Sequence, residues 1–306
     1  MRLGPIIFQP GGRVRPGWRI LLYILLAALA AQLAVWVYYA AGSLPLPATI
    51  LRGESGNLIL LDLLLCLAAL GSAFVLIRHV DRRRFAALGF ALQRRTVVEV
   101  LQGIAFGSAM VTAIFAVQAA AGWGDFTWSG ADARTAASGG AAAIVSFTLA
   151  AALEELVARG YIFQALIEGT GSVTAIAITS VLFGLGHVMN PHATALGMVN
   201  TVLAGVWLAV GYLKTRSLWL STGMHLSWNF CLGYVFGFPV SGLRISGSLL
   251  QAEPSGPGWV TGGAYGPEGG VLCGAVLALG TLLLARSRRI RPSPDAPTLW
   301  DRQVNH

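Results

Sequence analysis

The sequence predicts an all-α protein, a polytopic transmembrane helical bundle of about eight spans. Of its 306 residues, 55% are hydrophobic and only 11% are charged, whereas soluble globular domains carry about 25% charged residues. The mean hydropathy is +0.67, and several apolar runs exceed the ~20 residues that a helix needs to cross a bilayer. Strands of a membrane barrel would alternate in polarity over about ten residues, a pattern that this sequence lacks.

Glycine, proline and polar clusters separate the apolar runs and define the spans. The predicted spans are 18–41, 57–77, 96–121, 142–167, 172–190, 194–213, 217–236 and 269–286. The first follows a basic start, as a signal peptide does, but it is longer than the ~7–15 apolar residues of such a signal. We therefore expect it to be an uncleaved helix. We also expect residues 1–306 to form a single integral-membrane domain with a basic cytoplasmic tail at 287–306.

The distribution of basic residues predicts the orientation of the chain. Assigning successive loops to alternate sides places seventeen of the 21 lysine and arginine residues on the side of the N-terminus. Basic residues collect in cytoplasmic loops, so we expect both termini in the cytoplasm, at a bacterial plasma membrane. The net charge of +8 then reflects topology, and no nucleic-acid partner is expected. Cys66, Cys231 and Cys273 lie in separate apolar segments, which argues against a disulfide framework or a cysteine zinc site.

The strongest functional signal is a charged cluster inside the fourth span. Glu154, Glu155 and Arg159 interrupt an apolar stretch, where an unpaired ionisable group costs several kcal/mol. Residues four apart share a helix face, so Glu155 and Arg159 are placed to form an ion pair. Adjacent residues diverge by about 100° around a helix. Glu154 is therefore free to face a cavity as a general base.

Two polar pairs in later spans offer partners for this base. His187 follows Phe183 by four residues, and His225 precedes Asn229 by four. Peptide hydrolysis needs an activated water and donors for the developing oxyanion. Glu154 and His187 are candidates for the first task, and His225 with Asn229 for the second. Alternatively, Glu154, His187 and His225 bind a divalent metal such as Zn²⁺ and leave an open water position.

The order of these motifs resembles a known family of membrane proteases. Glu-Glu-x-x-x-Arg, Phe-x-x-x-His and His-x-x-x-Asn, each in its own span, are similar to motifs of the CAAX protease and bacteriocin-processing (CPBP) family, which includes Ras-converting prenyl-protein endopeptidases and Abi-like proteins. The resemblance covers about residues 140–270. It extends to the loop from Trp259 to Gly270 before the last span. It implies a helical membrane bundle with a catalytic core at 140–270 around a cavity.

The resemblance also implies roles for the polar residues. Glu154 and His187 match the family's water-activating pair, while His225 and Asn229 match its oxyanion-side pair. The ion-paired residues match supporting positions. The family was named for metalloproteases, but a metal-free glutamate mechanism is also argued for it, so the cofactor is either a divalent metal or none. The implied activity is intramembrane endopeptidase cleavage of a peptide or of a membrane-associated or lipid-modified protein.

A second class of function is compatible with the same residues. Buried Glu, His and Arg also serve proton relays, so the alternative is a non-catalytic membrane scaffold or a proton-coupled transporter. Of the other polar residues, Asn200 is expected to bond neighbouring helices and Glu268 to lie in the outer loop. Phe183 is expected to serve packing.

The predicted depths of the site residues conflict. Counted inward from the predicted span ends, Glu154 and His225 fall near the middle of the membrane. His187 falls nearer the outer end, so the site forms only if the fifth span is shifted or tilted.

Overall fold

The structure is a computed structural model that describes residues 7–9, 12–42, 54–294 and 296. Each of the eight predicted spans contains a helix there. The helices are α1 (Pro16–Gly42), α2 (Glu54–His79), α3 (Thr96–Ala120), α4 (Ala133–Glu155), α5 (Tyr161–Thr170), α6 (Ser172–Gly186), α7 (Ala195–Thr215), α8 (Leu218–Asn229) and α9 (Val271–Arg286). By length and composition, five helical segments can cross a membrane, and α6 and α9 are shorter apolar helices.

Two spans contain a widened helical turn that the sequence analysis did not predict. A π-helical turn, Leu156–Gly160, joins α4 to α5, so that one apolar segment runs over Ala133–Thr170. A second π turn, Phe230–Val235, follows α8 directly. Such turns are rare and occur frequently at functional sites. Each one here begins directly after residues of the predicted site.

The ends of two spans differ from their predicted positions. The fourth span begins at Ala133 instead of 142 because Asp132 caps it, with Oδ1 accepting a hydrogen bond of 2.7 Å from the backbone N–H of Thr135. This bond holds the pKa of the Asp132 carboxyl below its usual value, and it satisfies an otherwise unpaired N–H of the first turn. The fifth span ends at Gly186 instead of 190.

Alternating spans place the N-terminus and the loops after the second, fourth, sixth and eighth spans on one side of the membrane. Contacts between helix ends join several of these segments. Arg19, near the start of α1, forms ion pairs with Asp81 after α2 and with Glu168 near the end of α5. Lys214, near the end of α7, donates a hydrogen bond of 2.7 Å to the carbonyl of Ser287 after α9. The assignment of this side to the cytoplasm stays a prediction. The predicted tail at 287–306 lies largely outside the described residues.

A small sheet, absent from the sequence prediction, joins two loops at the opposite end. β1 (Gly124–Trp128) pairs antiparallel with β2 (Leu250–Pro254). Phe126 in β1 contacts Phe115 of α3 and Phe238 of the loop after α8 edge to face. These contacts fasten the 237–270 loop across the end of the bundle. The loop also contains short helical turns at Gly258–Thr261, Gly263–Tyr265 and Pro267–Gly269, and Phe85–Leu88 forms another between α2 and α3.

Close packing of α3 against α8 positions one wall of the site. A Cβ on Gly103 would collide with the backbone carbonyl of Leu220, and one on Gly107 with that of Met224. Glycines four residues apart let membrane helices approach this closely. The spacing therefore fixes α8, which carries the His-x-x-x-Asn motif, against α3.

Candidate active site

A cavity of about 640 Å³ inside the bundle brings the predicted site residues together. Its wall includes Glu154, His187, His225 and Asn229. Glu154 lies near the end of α4, His187 directly follows α6, and the other two lie one turn apart on α8. Three separate helices thus supply the polar groups of one cavity, as the sequence analysis expected.

One carboxylate oxygen of Glu154 faces two imidazole rings. Its Oε2 lies 3.9 Å from Nε2 of His187 and 3.8 Å from Nε2 of His225, whereas a direct hydrogen bond is about 2.7–3.2 Å long. The Glu154 side chain is 35% exposed, yet this oxygen is buried and has no hydrogen-bond partner. The three atoms therefore converge on a point where a further polar group can bind.

The other ring nitrogen of each histidine is already engaged. Nδ1 of His187 lies 2.8 Å from the carbonyl oxygen of Phe183, and Nδ1 of His225 lies 3.1 Å from Oε1 of Glu155. Carbonyl and carboxylate oxygens are acceptors, so Nδ1 carries the hydrogen in both rings. In its neutral form each ring then directs the Nε2 lone pair towards Glu154. Three converging acceptors call for a hydrogen donor between them, and a water molecule supplies two hydrogens.

The predicted ion pair is present behind this site. Arg159 donates through Nη1 to Oε1 of Glu155 and through Nη2 to the carbonyl of Gly205, each at 2.9 Å. Both charged side chains are fully buried. The same carboxylate oxygen of Glu155 that receives Arg159 also faces Nδ1 of His225. Arg159 therefore offsets the charge of the carboxylate that orients His225.

Phe183 has more contacts with the site than its predicted packing role implies. The guanidinium carbon of Arg159 lies 4.6 Å from the centroid of its ring, which is a cation–π distance. The ring also meets His225 edge to face, with 6.0 Å between centroids. The backbone carbonyl oxygen of Phe183 accepts the hydrogen bond from Nδ1 of His187. The signal in the sequence was its position one turn before His187 on the same helix face.

The short length of α6 resolves the conflict in depth. Its 15 residues extend about 22 Å at 1.5 Å per residue, less than the ~30 Å hydrocarbon core of a bilayer. His187 directly follows α6 and lies level with Glu154, since Nε2 of His187 is 3.9 Å from Oε2 of Glu154. The helix ends at Gly186 and not at residue 190, and the mismatch in depth arose because the prediction assumed that this span crosses the whole hydrocarbon core.

Glu268 reaches the cavity wall from the loop to which the sequence analysis assigned it. Its Oε1 accepts a hydrogen bond of 2.9 Å from the Trp228 indole, and its Oε2 accepts one of 2.9 Å from the Ser241 hydroxyl. Asn200 was expected to bond a neighbouring helix. Its side chain instead donates to the backbone carbonyls of Glu268 and Gly270, both at 2.8 Å. The loop folds back into the bundle, a contact that no local pattern indicates.

The alternative metal site does not fit the arrangement of these side chains. Across the described residues, no group of three or more His, Cys, Asp or Glu side chains is placed to hold a metal ion. This applies to Glu154, His187 and His225, the predicted ligand set.

Comparison with known protein families gives one match. Residues 137–231 match the family described as type II CAAX prenyl endopeptidase, Rce1-like. The matched segment begins in α4, ends in the π turn after α8, and contains all three motifs. No curated protein and no solved structure matches the chain.

Proposed function

We propose that this protein is an intramembrane endopeptidase, because residues 137–231 match the family described as type II CAAX prenyl endopeptidase, Rce1-like. It hydrolyses a peptide bond of a membrane-associated or lipid-modified protein or peptide. The observation that carries the proposal is the convergence of Glu154 with the Nε2 atoms of His187 and His225 in one cavity. The catalytic core spans about 140–270 of a single integral-membrane domain with both termini in the cytoplasm.

Glu154 and His187 bind and activate the attacking water. Oε2 of Glu154 lacks a partner and accepts one hydrogen of the water, while the Nε2 lone pair of His187 accepts the other. Glu154 takes a proton as the water oxygen bonds to the carbonyl carbon of the substrate. The proton then passes to the amide nitrogen, the C–N bond breaks, and a carboxylic acid and an amine are released.

Asn229 and His225 stabilise the negative charge on the former carbonyl oxygen. The side-chain amide of Asn229 donates hydrogen bonds in any protonation state of the site. His225 directs its Nδ1 hydrogen to Glu155, so it donates from Nε2 only as the imidazolium. Asn229 is therefore the constant donor. Glu155 and Arg159 act as positioning residues that hold His225 in place.

The apolar part of the cavity suits a lipid-modified substrate. Its apolar residues come from several helices and loops, and the α4–α5 segment supplies six of them: Phe147, Ala150, Leu153, Val157, Ala158 and Ile162. An isoprenoid or acyl chain of a membrane-anchored substrate already lies out of water in the bilayer, so van der Waals packing against this apolar wall, and not transfer from water, contributes its binding free energy. A lipid bilayer and a peptide or membrane-protein substrate are the expected partners.

Cleavage of a fluorogenic peptide library by the reconstituted protein tests this function. We expect Glu154→Ala and His187→Ala each to abolish cleavage while the unfolding temperature stays close to that of the wild type. The matched control is Glu253→Ala, which removes an exposed carboxylate of β2 that pairs with Arg244 outside the cavity. Proteolysis retained in both site variants refutes the proposal. Peptide binding without any cleavage by the wild type favours the scaffold or transporter instead.

A further inference from the structure

A second carboxylate lines the catalytic cavity and takes no part in activating water. Glu268 lies on the short turn Pro267–Gly269, between β2 and α9, and forms part of the same wall as Glu154. Asn200 fixes this turn through its bonds to the carbonyls of Glu268 and Gly270. The carboxylate is therefore held in place by the fold.

The protein supplies only neutral partners to this carboxylate. Oε1 accepts from the Trp228 indole, and Oε2 accepts from both the backbone N–H and the hydroxyl of Ser241. A carboxylate has about four acceptor positions, so these three donors leave one position open. Among the described residues, Glu268 forms no ion pair with a lysine, arginine or histidine.

The cavity as a whole carries an excess of negative groups. Among the residues that the structure describes, no lysine or arginine contributes to its wall, and its basic groups are the two imidazoles, His187 and His225. Arg159 is paired with Glu155 behind the wall, and no described lysine or arginine forms an ion pair with the carboxylate of Glu154 or Glu268. An unpaired charge at membrane depth costs several kcal/mol. A cation that enters with a ligand reduces that cost.

We propose that Glu268 is a specificity-determining residue that binds a basic side chain, lysine or arginine, of the peptide substrate. The inference rests on the proposed endopeptidase function and names the class of substrate that this site prefers. Trp228, which holds Oε1 of Glu268, directly precedes the oxyanion donor Asn229 in α8. Trp228, Asn229 and Glu268 all line the same cavity as Glu154, so the basic residue binds in the cavity that holds the scissile bond.

Matched peptides measure this preference. The peptides share one fluorogenic sequence of uncharged residues. At each position flanking the cleaved bond in turn, one residue is replaced by lysine, glutamine or glutamate. At one position or more, we expect the wild type to cleave the lysine peptide with about tenfold higher kcat/KM than the glutamine peptide, as for a hydrogen bond between charged groups. The glutamate peptide should be the poorest substrate at that position.

Glu268→Gln separates a role in charge recognition from a role in holding the loop. Glutamine keeps nearly the same shape but has one acceptor oxygen and one amide donor, so it can accept from the Trp228 indole or from the Ser241 backbone N–H, but not from both. Loss of one loop contact should lower kcat/KM for the lysine and glutamine peptides alike, whereas loss of the charge changes their ratio. We expect the lysine-to-glutamine ratio of kcat/KM to fall to about one, and Glu268→Lys to reverse the preference towards the glutamate peptide. Glu253→Gln, the matched surface control, should retain the wild-type ratio. A wild-type ratio in Glu268→Gln overturns the inference.

A binding measurement distinguishes failure of this inference from failure of the proposed function. Fluorescence anisotropy on Glu154→Ala protein reports the affinities of the lysine and glutamine peptides without turnover. If the wild type cleaves no peptide but the lysine peptide binds about tenfold more tightly in a Glu268-dependent way, the endopeptidase proposal fails and the recognition site stands. Equal affinities, or no binding of either peptide, overturn the recognition site, whether or not cleavage occurs.

Discussion

Replacing Arg159 by methionine removes the counter-ion of a buried carboxylate while keeping a long apolar side chain. The guanidinium contacts Glu155, the Gly205 carbonyl and the Phe183 ring. Methionine can fill much of the same space but offers neither charge nor donor. Glu155 then retains its buried charge beside His225 without a cation to offset it.

The expected loss of stability is large because both charged side chains are fully buried. Removing one partner of a buried ion pair costs about 3–5 kcal/mol. The contacts of Arg159 share one side chain and do not add independently, so we expect a total of about 4 kcal/mol. The double variant Glu155→Gln/Arg159→Met removes both charges of this buried pair. It should therefore be more stable than Arg159→Met alone, by roughly 2 kcal/mol.

Reversible denaturation in mixed micelles measures the free energy of unfolding of Arg159→Met, of Glu155→Gln and of the double variant. Arg244→Met is the control, because Arg244 forms an exposed pair with Glu253, and such pairs contribute about 0–1 kcal/mol. The reasoning is refuted if Arg159→Met is as stable as the control. It is equally refuted if the double variant loses the sum of the two single losses.

Three further predictions concern packing, the ion-pair network and metal dependence. In Gly205→Ala, a Cβ would lie 2.9 Å from Cα and Cβ of Ser180, so we expect the free energy of unfolding to fall by about 1–3 kcal/mol and the unfolding temperature to fall with it. Gly71→Ala is the control, because a Cβ on Gly71 meets open space. Equal losses in the two variants would contradict the packing argument. Asp81→Asn removes the charge that pairs with the buried Arg19 and should lower the free energy of unfolding by about 2 kcal/mol. Wild-type stability of this variant would show that the Arg19–Asp81 ion pair does not stabilise the packing of α1. Treatment with a chelator should leave cleavage unchanged, because no described group fits a metal; loss of activity that Zn²⁺ restores would contradict this.

The apolar runs and the helical periodicity of the sequence were sufficient to predict the helical bundle and the pairing within the charged cluster. Apolar runs located the spans because a bilayer requires their length. The i,i+4 spacing of Glu155 and Arg159 predicted their contact because both residues lie on one helix face. The π turn that begins after Glu155 leaves this pairing in place.

The remaining features depend on contacts between segments distant in sequence. Glu268 reaches the cavity because its loop folds back and is held by Asn200 and Trp228. The β1–β2 pair forms between five-residue segments separated by more than a hundred residues, too short for a periodic signal. The end of α6 at Gly186 lies within a continuous apolar run, so composition placed the boundary too late.

The most direct test of the central claim is the single-turnover cleavage rate of Glu154→Gln protein. Glutamine preserves the size of the side chain but cannot take a proton from water. General-base catalysis contributes about 10²–10⁴-fold in rate. We therefore predict a loss of that order, with peptide affinity and the free energy of unfolding close to those of the wild type. Cleavage by Glu154→Gln at the wild-type rate would contradict the assignment of Glu154 as the base.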